Sequence, residues 1–220
     1  SHYFKSAERF IHKNRVGYAP GMFYGYKMDG IIQNTQQLLE TGRKDASVGD
    51  VNYVDLNGDG KFTDADKTFI GDPNPDFTFG MENRFAWGPW SLSLFIAGSY
   101  GNDVYNLMRS KLEGMDANNM NQLATVLDYA RVKENPDGTL YVENANTNMP
   151  VSGSEAMGGA DANTISSRYV EDGSYLRFQN VSIAYTVPKR YTDKLHLSNL
   201  RVSFNVQNLG TITNYSGLNP

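Results

Sequence analysis

Apolar and polar side chains alternate most regularly between residues 76 and 101, in two runs joined by Gly88 and Pro89. A period of two is typical of β-strands, and a short glycine-containing link between two such runs is typical of a hairpin. The pattern therefore predicts two paired strands of about eleven residues, each with one apolar face. The apolar positions are Phe77, Phe79, Met81, Phe85 and Trp87 in the first run, and Trp90, Leu92, Leu94 and Ile96 in the second.

The same alternation returns near the end of the chain and predicts a second hairpin. Its first strand falls between Tyr175 and Val187, and its second strand begins near Leu200. Small and polar residues fill the alternate positions, so each strand again has one apolar and one polar face. The apolar positions are Val181, Ile183, Tyr185, Val187, Leu200, Val202, Phe204 and Val206.

Weaker patterns predict shorter elements outside the two hairpins. Residues 21–32 alternate like a strand, and residues 34–42 predict a short helix with a polar cap at its start and a glycine at its end. Residues 120–131 predict a second helix, and a turn at 135–138 is flanked by short β-like runs. The connection over 102–173 is long for one compact domain, in which such loops are uncommon.

The apolar faces are compatible with two fold classes. In a soluble sandwich they would form the core, whereas in an outer-membrane barrel they would meet lipid while the polar faces line the lumen. The strand lengths suit a tilted crossing of the bilayer, Trp87 and Trp90 bracket a short turn as an aromatic girdle would, and the long connection suits an outer loop. These features favour an all-β fold in which antiparallel strands form part of a transmembrane β-barrel, with short turns at one end and long loops that contain short helices at the other.

Composition narrows the possible functions. An apolar content of 40% argues against disorder, and 14 Tyr, 11 Phe and 21 Gly favour β structure with many turns. The net charge of −4 gives no electrostatic case for nucleic-acid binding, and the lack of cysteine excludes disulfides and thiolate metal sites. The sequence has no apolar run long enough for a membrane-spanning helix, and its first residues do not resemble a signal peptide.

The stretch over 55–66 has the spacing of a calcium loop. Oxygen-bearing side chains fall at positions one, three, five and twelve, with a glycine at position six for the sharp turn, because calcium takes six to eight oxygen ligands. We predict a structural calcium ion, since no histidine or nucleophile lies beside the loop. The ligands would be the side chains of Asp55, Asn57, Asp59 and Asp66 and the backbone carbonyl of Lys61.

Two features set this stretch apart from an EF-hand. Aspartate replaces glutamate at position twelve, and no long helices flank the loop: Val51 begins a strand-like run before it, and only one helical turn fits after Asp66. The alternative interpretation is a turn rich in Asp, Asn and Gly whose side chains bond to their own backbone. Replacing Asp59 by alanine should remove calcium binding and loop order but leave the strands intact.

Six strings occur in one order along the chain: GMFYGYKMDGI from Gly21, GDVNYVDLNGDG from Gly49, IGDPNPDFTFG from Ile70, GSYGNDVYN from Gly98, YLRFQNVSIAY from Tyr175 and QNL from Gln207. Together they resemble the C-terminal part of the barrel of TonB-dependent outer-membrane transporters of the SusC/RagA type. The resemblance implies a 22-stranded barrel with a plugged lumen, located in the cell outer membrane. It also implies energy from TonB, a SusD-like surface lipoprotein as partner, and import of glycan or peptide fragments.

The resemblance sets further expectations. Residues 1–220 should be an incomplete C-terminal portion, because the family has a plug and a final aromatic-ended strand that we do not find in this sequence. We expect nutrient import and no enzymatic activity, since the three histidines are scattered and no phosphate-binding loop or nucleophile elbow is present. Tyr100, Tyr105 and Tyr129 are candidates for stacking on sugar rings, with ordinary packing favoured for each one. The rival function is a secreted, calcium-stabilised, carbohydrate-binding β-sandwich.

Overall fold

The computed structural model of the chain describes residues 5–6, 9–43, 46–115, 121–151 and 164–218. The chain divides into two compact units, each made of two separate stretches. The core unit comprises Ser1–Pro73 and Val104–Glu171, and the sheet unit comprises Asn74–Asp103 and Asp172–Pro220. No helix in the described ranges is long and apolar enough to cross a membrane.

Strands predominate among the described residues, and the helices are short. In chain order the strands are β1 (Lys5–Ser6), β2 (Arg9–Phe10), β3 (Phe23–Tyr26), β4 (Met28–Ile31), β5 (Val51–Tyr53), β6 (Lys67–Gly71), β7 (Phe77–Trp87), β8 (Trp90–Tyr100), β9 (Asp103–Tyr105), β10 (Val132–Glu134), β11 (Leu140–Val142), β12 (Val170–Asp172), β13 (Tyr175–Thr186) and β14 (Arg201–Thr213). The α-helices are α1 (Thr35–Thr41), α2 (Leu107–Leu112) and α3 (Lys189–Thr192), and 3-10 helices lie at Asp64–Asp66, Ala124–Asp128, Ser167–Tyr169 and Asp193–Leu195.

The sheet unit is built on one four-stranded antiparallel sheet in the order β14-β13-β8-β7. Both predicted hairpins are confirmed, with Trp87 opposite Trp90 in the first and Thr186 opposite Arg201 in the second. Gly88 has a positive φ of 56°, which suits a two-residue hairpin turn. Strand β8 also pairs with β13, so the two hairpins join into one continuous sheet.

A bulge in β13 changes which side of the sheet its residues face. The register shifts between Phe178 and Asn180 against both neighbouring strands. Because of the extra residue, Phe178 lies opposite Ile96 while Val181 lies opposite Leu94. The apolar residues of β13 that have even numbers before the bulge and those that have odd numbers after it therefore all lie on one face. Without the bulge, strict alternation would place the two groups on opposite faces.

The core unit holds the buried core of the chain. Small two-stranded sheets, β3 with β6, β4 with β5 and β10 with β11, supply most of its strands. The core therefore joins the chain before β7 with the long connection over 102–173, whose described parts contain strands and short helices. The largest cluster of buried apolar residues is Ile31, Val48, Val51, Tyr53, Ala130 and Val142.

The structure confirms one predicted element of the core unit and divides another into two strands. Helix α1 is confirmed: Asn34 accepts a hydrogen bond from the Gln37 amide, and Gly42 ends the helix with φ 65°. The single strand over 21–32 is wrong, because β3 pairs with β6 while β4 pairs with β5. A 3-10 helix ends at Asp66 and β6 follows it directly, so no long helix flanks the acidic stretch on this side.

The helix predicted over 120–131 is wrong as well. Its first residue lies outside the described ranges, and the rest contains only the 3-10 helix Ala124–Asp128. Leu123, the residue at its N-cap, makes no side-chain capping bond, and Leu127 remains 73% exposed. The hairpin around the turn at 135–138 is confirmed as β10 and β11.

Candidate functional site

The pairing of the four long strands separates apolar from polar side chains onto opposite faces of the sheet. One row across the strands contains Phe85, Leu92, Ile183 and Phe204 side by side. The next row toward the turns contains Trp87, Trp90, Tyr185 and Val202. Rows on the opposite face carry mostly small and polar residues. The sheet therefore has one continuous apolar face and one polar face.

The apolar face is open. Trp87 is 84% exposed, Phe204 is 70% exposed, and Phe79, the most covered of the phenylalanines on β7, is still 40% exposed. In contrast, Val51 in the core unit is completely buried. A β-sandwich would bury its apolar face against a second sheet, so the sheet unit does not have the packing that the sandwich alternative requires.

The polar face carries a shallow cavity of about 510 Å³ within the sheet unit. One row across it consists of Arg84, Ser93, Ser182 and Asn205. Arg201 also lines the cavity and donates from Nη2 to the Ser91 hydroxyl at 3.2 Å. These side chains can hydrogen-bond water or a polar molecule, in contrast to the opposite face.

The acidic turn at 55–66 has the backbone form that its glycines predicted. Gly58 and Gly60 adopt positive φ angles of 71° and 70°. Their amides donate to the two oxygens of Asp55, at 2.7 and 2.8 Å respectively. These bonds, led by the one from Gly60, lower the pKa of Asp55. The charged form of this side chain thus holds the turn closed.

The remaining predicted ligands also bond within the loop. Asp66 is fully buried and accepts from the Leu56 amide at 3.1 Å and the Thr63 amide at 2.8 Å. Asp59 accepts from the Lys61 amide at 2.8 Å and from the Asn57 side chain at 3.0 Å. Within the ranges that the structure describes, no three acidic or histidine side chains converge as a metal site.

An aromatic cluster anchors the acidic turn to the core unit. The Phe62 ring lies 4.4 Å from the Tyr26 ring and stacks on Tyr53 at 5.1 Å, and the Arg43 guanidinium lies 4.8 Å from Phe62. The Tyr26 hydroxyl donates to Asp64 at 3.0 Å. Burial and then this bond raise the pKa of Tyr26, so its phenol stays neutral and acts as a donor.

The three tyrosines proposed for sugar stacking have different surroundings. Tyr105 packs on Phe23 and Tyr169, with ring centres 5.9 and 6.3 Å apart, which is ordinary packing. Tyr100 stacks on Phe77 at 5.4 Å and is 56% exposed. Tyr129 is 38% exposed. Tyr100 and Tyr129 belong to different units.

A buried ion-pair network in the core unit was not predicted. Arg109 on α2 pairs with Glu113 at 3.1 Å and with Glu171 at 3.0 Å. Arg168 pairs with the other oxygen of Glu113 at 3.3 Å. Burial opposes the charge of Arg109, yet Glu113 and Glu171 hold its pKa above the ordinary value. Only the four-residue spacing of Arg109 and Glu113 is visible in the sequence, because the other partners are remote along the chain.

A cavity of about 290 Å³ adjoins this network. Both arginines line it, together with Met28 and Gly30 on β4, Asn148 and Ser167. Among the described residues, neither glutamate of the network lines the cavity.

No family model matches the chain. A TonB-dependent receptor of Formosa agariphila is 32% identical over 208 residues, which cover 94% of this chain and 19% of the relative. The TonB-dependent receptor SusC of Bacteroides thetaiotaomicron is 23% identical and is matched over 96% of this chain and 18% of its own length. The chain thus spans about a fifth of the length of the curated relatives it matches.

Solved structures show the same fold. A structure described as the RagAB peptide transporter matches 91% of this chain and 20% of its own chain, with a TM-score of 0.64 and 21% identity. A second structure, of the RagAB importer in a closed-closed state, matches with a TM-score of 0.61. The predicted fold class is confirmed, and relatives named as receptors agree with the prediction that the chain is not an enzyme. The two-faced sheet and these similarities together show that the chain belongs to the TonB-dependent receptors.

Proposed function

We propose that the parent protein imports nutrient fragments across the outer membrane and that the sheet unit is part of its barrel wall. The observation that carries this proposal is the separation of the two faces of the four-stranded sheet. Its exposed apolar row of Phe85, Leu92, Ile183 and Phe204 would meet acyl chains, and its row of Arg84, Ser93, Ser182 and Asn205 would face the wet lumen.

The strand lengths support a bilayer crossing. Strands β7 and β8 each have 11 residues, β13 has 12 and β14 has 13. At about 3.3 Å per residue, an 11-residue strand is about 36 Å long, and a tilt of about 45° reduces its span to about 25 Å. This span equals the height of the apolar band of outer-membrane barrels, about 25 Å.

Aromatic side chains at the turn end of the sheet support the same orientation. Trp87, Trp90 and Tyr185 lie next to one another across three strands, with the Trp90 and Tyr185 ring centres 4.7 Å apart. Trp87 is 84% exposed and Trp90 is 51% exposed. Tryptophan and tyrosine prefer the boundary between acyl chains and headgroups, so this row would lie at one membrane interface.

The wider assembly is proposed from the relatives. Two of them are named TonB-dependent receptors, and the RagAB structures are described as a peptide transporter and importer. We infer that the parent protein takes energy from TonB, works with a SusD-like surface lipoprotein, and carries peptide or glycan fragments. We expect the acidic turn at 55–66 to be exposed outside the cell and the long connection to contact substrate or lipoprotein.

Adjacent residues on β14 provide the test. In a cysteine-free, full-length parent reconstituted in lipid vesicles, Phe204→Cys and Asn205→Cys are each given a nitroxide label. We expect the label at position 204 to collide more with lipid-soluble oxygen, and the label at 205 to collide more with a water-soluble nickel chelate. Equal accessibility of both labels to the nickel chelate would contradict a lipid-facing side. Loss of nutrient uptake on deletion of the gene tests the import function separately.

We also propose that the acidic turn binds one structural calcium ion. The calcium proposal is supported by the sequence spacing of four side chains with oxygen donors, which calcium prefers, and by the bond from the Gly60 amide to Asp55. These side chains are Asp55, Asn57, Asp59 and Asp66. Binding would require Asp59 to exchange its bond with the Asn57 side chain for the ion, as this bond occupies one carboxylate oxygen. The carbonyl of Lys61 would complete the set. The ion would supply charge neutralisation and loop rigidity.

Isothermal titration of the full-length parent with calcium chloride tests this site. Asp59→Ala should abolish the binding heat and increase proteolysis of the turn, while barrel migration on unboiled gels is unchanged. Asp137→Ala removes an exposed turn aspartate elsewhere in the core unit and should leave calcium binding unchanged. If titration of the unmutated parent with calcium chloride gives no binding heat, the calcium proposal is wrong and the turn is held only by its own hydrogen bonds.

A further inference from the structure

The cavity beside the ion-pair network has a wall of hydrogen-bond donors. Arg168 has a side chain that is only 4% exposed, and its Nε is buried and lacks a hydrogen-bond partner among the described residues. Its two terminal nitrogens are occupied by the Asn148 carbonyl and by Glu113. Because Nε is shielded from solvent, a molecule in the cavity does not reach it, and Arg168 contributes its positive charge to the cavity wall.

Arg109 adds a second set of donors. Its Nε bonds Glu113 and its Nη1 bonds Glu171, and no described residue bonds its Nη2. The side chain is 29% exposed, so a molecule entering from solvent can reach it. Because Glu113 and Glu171 hold the guanidinium in place, Arg109 is already oriented before any molecule binds.

The other lining groups do not oppose a negative charge. Ser167 accepts from the Met28 amide at 2.9 Å, which leaves its own hydroxyl proton to donate. Asn148 is exposed, lines the cavity and has a neutral amide side chain. The carboxylates of the network pair with the arginines, do not line the cavity, and are only 2% and 10% exposed. The cavity therefore presents two guanidinium groups and neutral donors, which suits an oxygen acceptor, above all a carboxylate.

We propose that this cavity binds a carboxylate group carried by the imported molecule. The proposal rests on the import function and narrows its substrate to fragments with a free acid. That acid is either the C-terminal carboxylate of a short peptide or the uronic acid of a glycan. The volume of about 290 Å³ accommodates a small terminal residue and not a whole oligomer. The remainder of the molecule would project into solvent or toward a partner.

Two pairs of probes distinguish these sources on the purified full-length parent. Acetyl-glycyl-glycine is compared with its C-terminal amide, and methyl glucuronide is compared with methyl glucoside, by isothermal titration. We expect at least one acid to bind ten-fold or more tightly than its neutral counterpart. The pair that shows the preference identifies the source. Equal affinities within both pairs, as expected of a cavity that holds only water, would overturn the proposal.

Variants locate the effect in the cavity. Asn148→Asp places a negative charge on the cavity lining with almost no change of side-chain shape, and it should reduce the preference for the acid at least five-fold. Arg109→Gln should reduce it similarly, with folding checked by gel migration. Arg131→Gln alters an exposed arginine that does not line the cavity, and it should leave the preference unchanged. A preference that persists in both cavity variants contradicts the assignment, whereas failure of cellular uptake concerns the import function alone.

Discussion

Lysine substitutions at two adjacent residues of β13 distinguish a lipid-facing sheet from one in water. Val181 lies near the middle of β13, between Leu94 and Val206 on the apolar face. Ser182, the next residue, lies between Ser93 and Asn205 on the polar face. The two positions share one strand and one depth, and neither has a cation directly opposite. Val181→Lys and Ser182→Lys therefore differ only in the face that receives the charge.

The magnitude follows from the environment at that depth. A lysine on the lipid side near the bilayer midplane costs about 2–4 kcal/mol, which is a decrease of about 30- to 700-fold in the ratio of folded to unfolded protein. On the lumen side the ammonium stays hydrated, and we expect a change within about 0.5 kcal/mol. If the apolar face met water, the lysine stem would cover it and the ammonium would reach solvent, so Val181→Lys would be nearly neutral.

The assay is urea-induced unfolding of the full-length parent in phospholipid vesicles, with the folded fraction measured by migration on unboiled gels. We expect the midpoint for Val181→Lys to fall well below that of the parent, and the midpoint for Ser182→Lys to match the parent. Equal midpoints for the two variants would refute the lipid-facing assignment of the apolar side.

Two further predictions concern the core unit. Gly42→Ala should destabilise it by about 1–2 kcal/mol or more, because an added Cβ would lie 1.8 Å from the Gly60 carbonyl oxygen and the residue has a φ of 65°. Gly17→Ala is the control, because Gly17 has a φ of 91° but open space around it. Comparing the thermal unfolding of the two variants separates the cost of the positive φ from the cost of the steric clash. Thr139→Val should raise the pKa of Asp137 by removing the hydroxyl that donates to it at 2.7 Å. Because the pKa is lowered, ionised Asp137 stabilises the turn above the unfolded pKa of about 3.9, and this stabilisation is lost as pH falls through the folded pKa. Carboxyl NMR should show Asp137 titrating at higher pH in the variant, because the hydroxyl donor is missing.

The local sequence pattern predicted those elements that depend on interactions between residues close together in the chain. Alternation over 77–87 and 90–100 placed each apolar side chain of the first hairpin on the correct face, because side chains on a strand alternate strictly. Helix α1 was predicted from Asn34 and Gly42, whose capping bonds each span only three residues. The glycines of the acidic turn adopted the positive φ that the loop spacing requires.

Other features depend on partners far apart along the chain. The predicted strand over 21–32 divides because β3 and β4 pair with different strands, β6 and β5. The bulge in β13 is visible only against β8 and β14, since a register shift is a relation between strands. The candidate carboxylate cavity combines β4, α2, Asn148 and the 3-10 helix Ser167–Tyr169, which no local pattern connects.

The sequence by itself determined the strand period, the turn residues and the acidic spacing, because each is set by the conformations of neighbouring residues. Tertiary structure decided that β8 lies beside β13, which start 85 residues apart, and that the long connection shares a core with the chain before β7. It also decided that Arg109 and Arg168 share Glu113. Such contacts form only when remote segments pack and pair with one another. Their free energies therefore cannot be derived from the local sequence pattern of either segment alone.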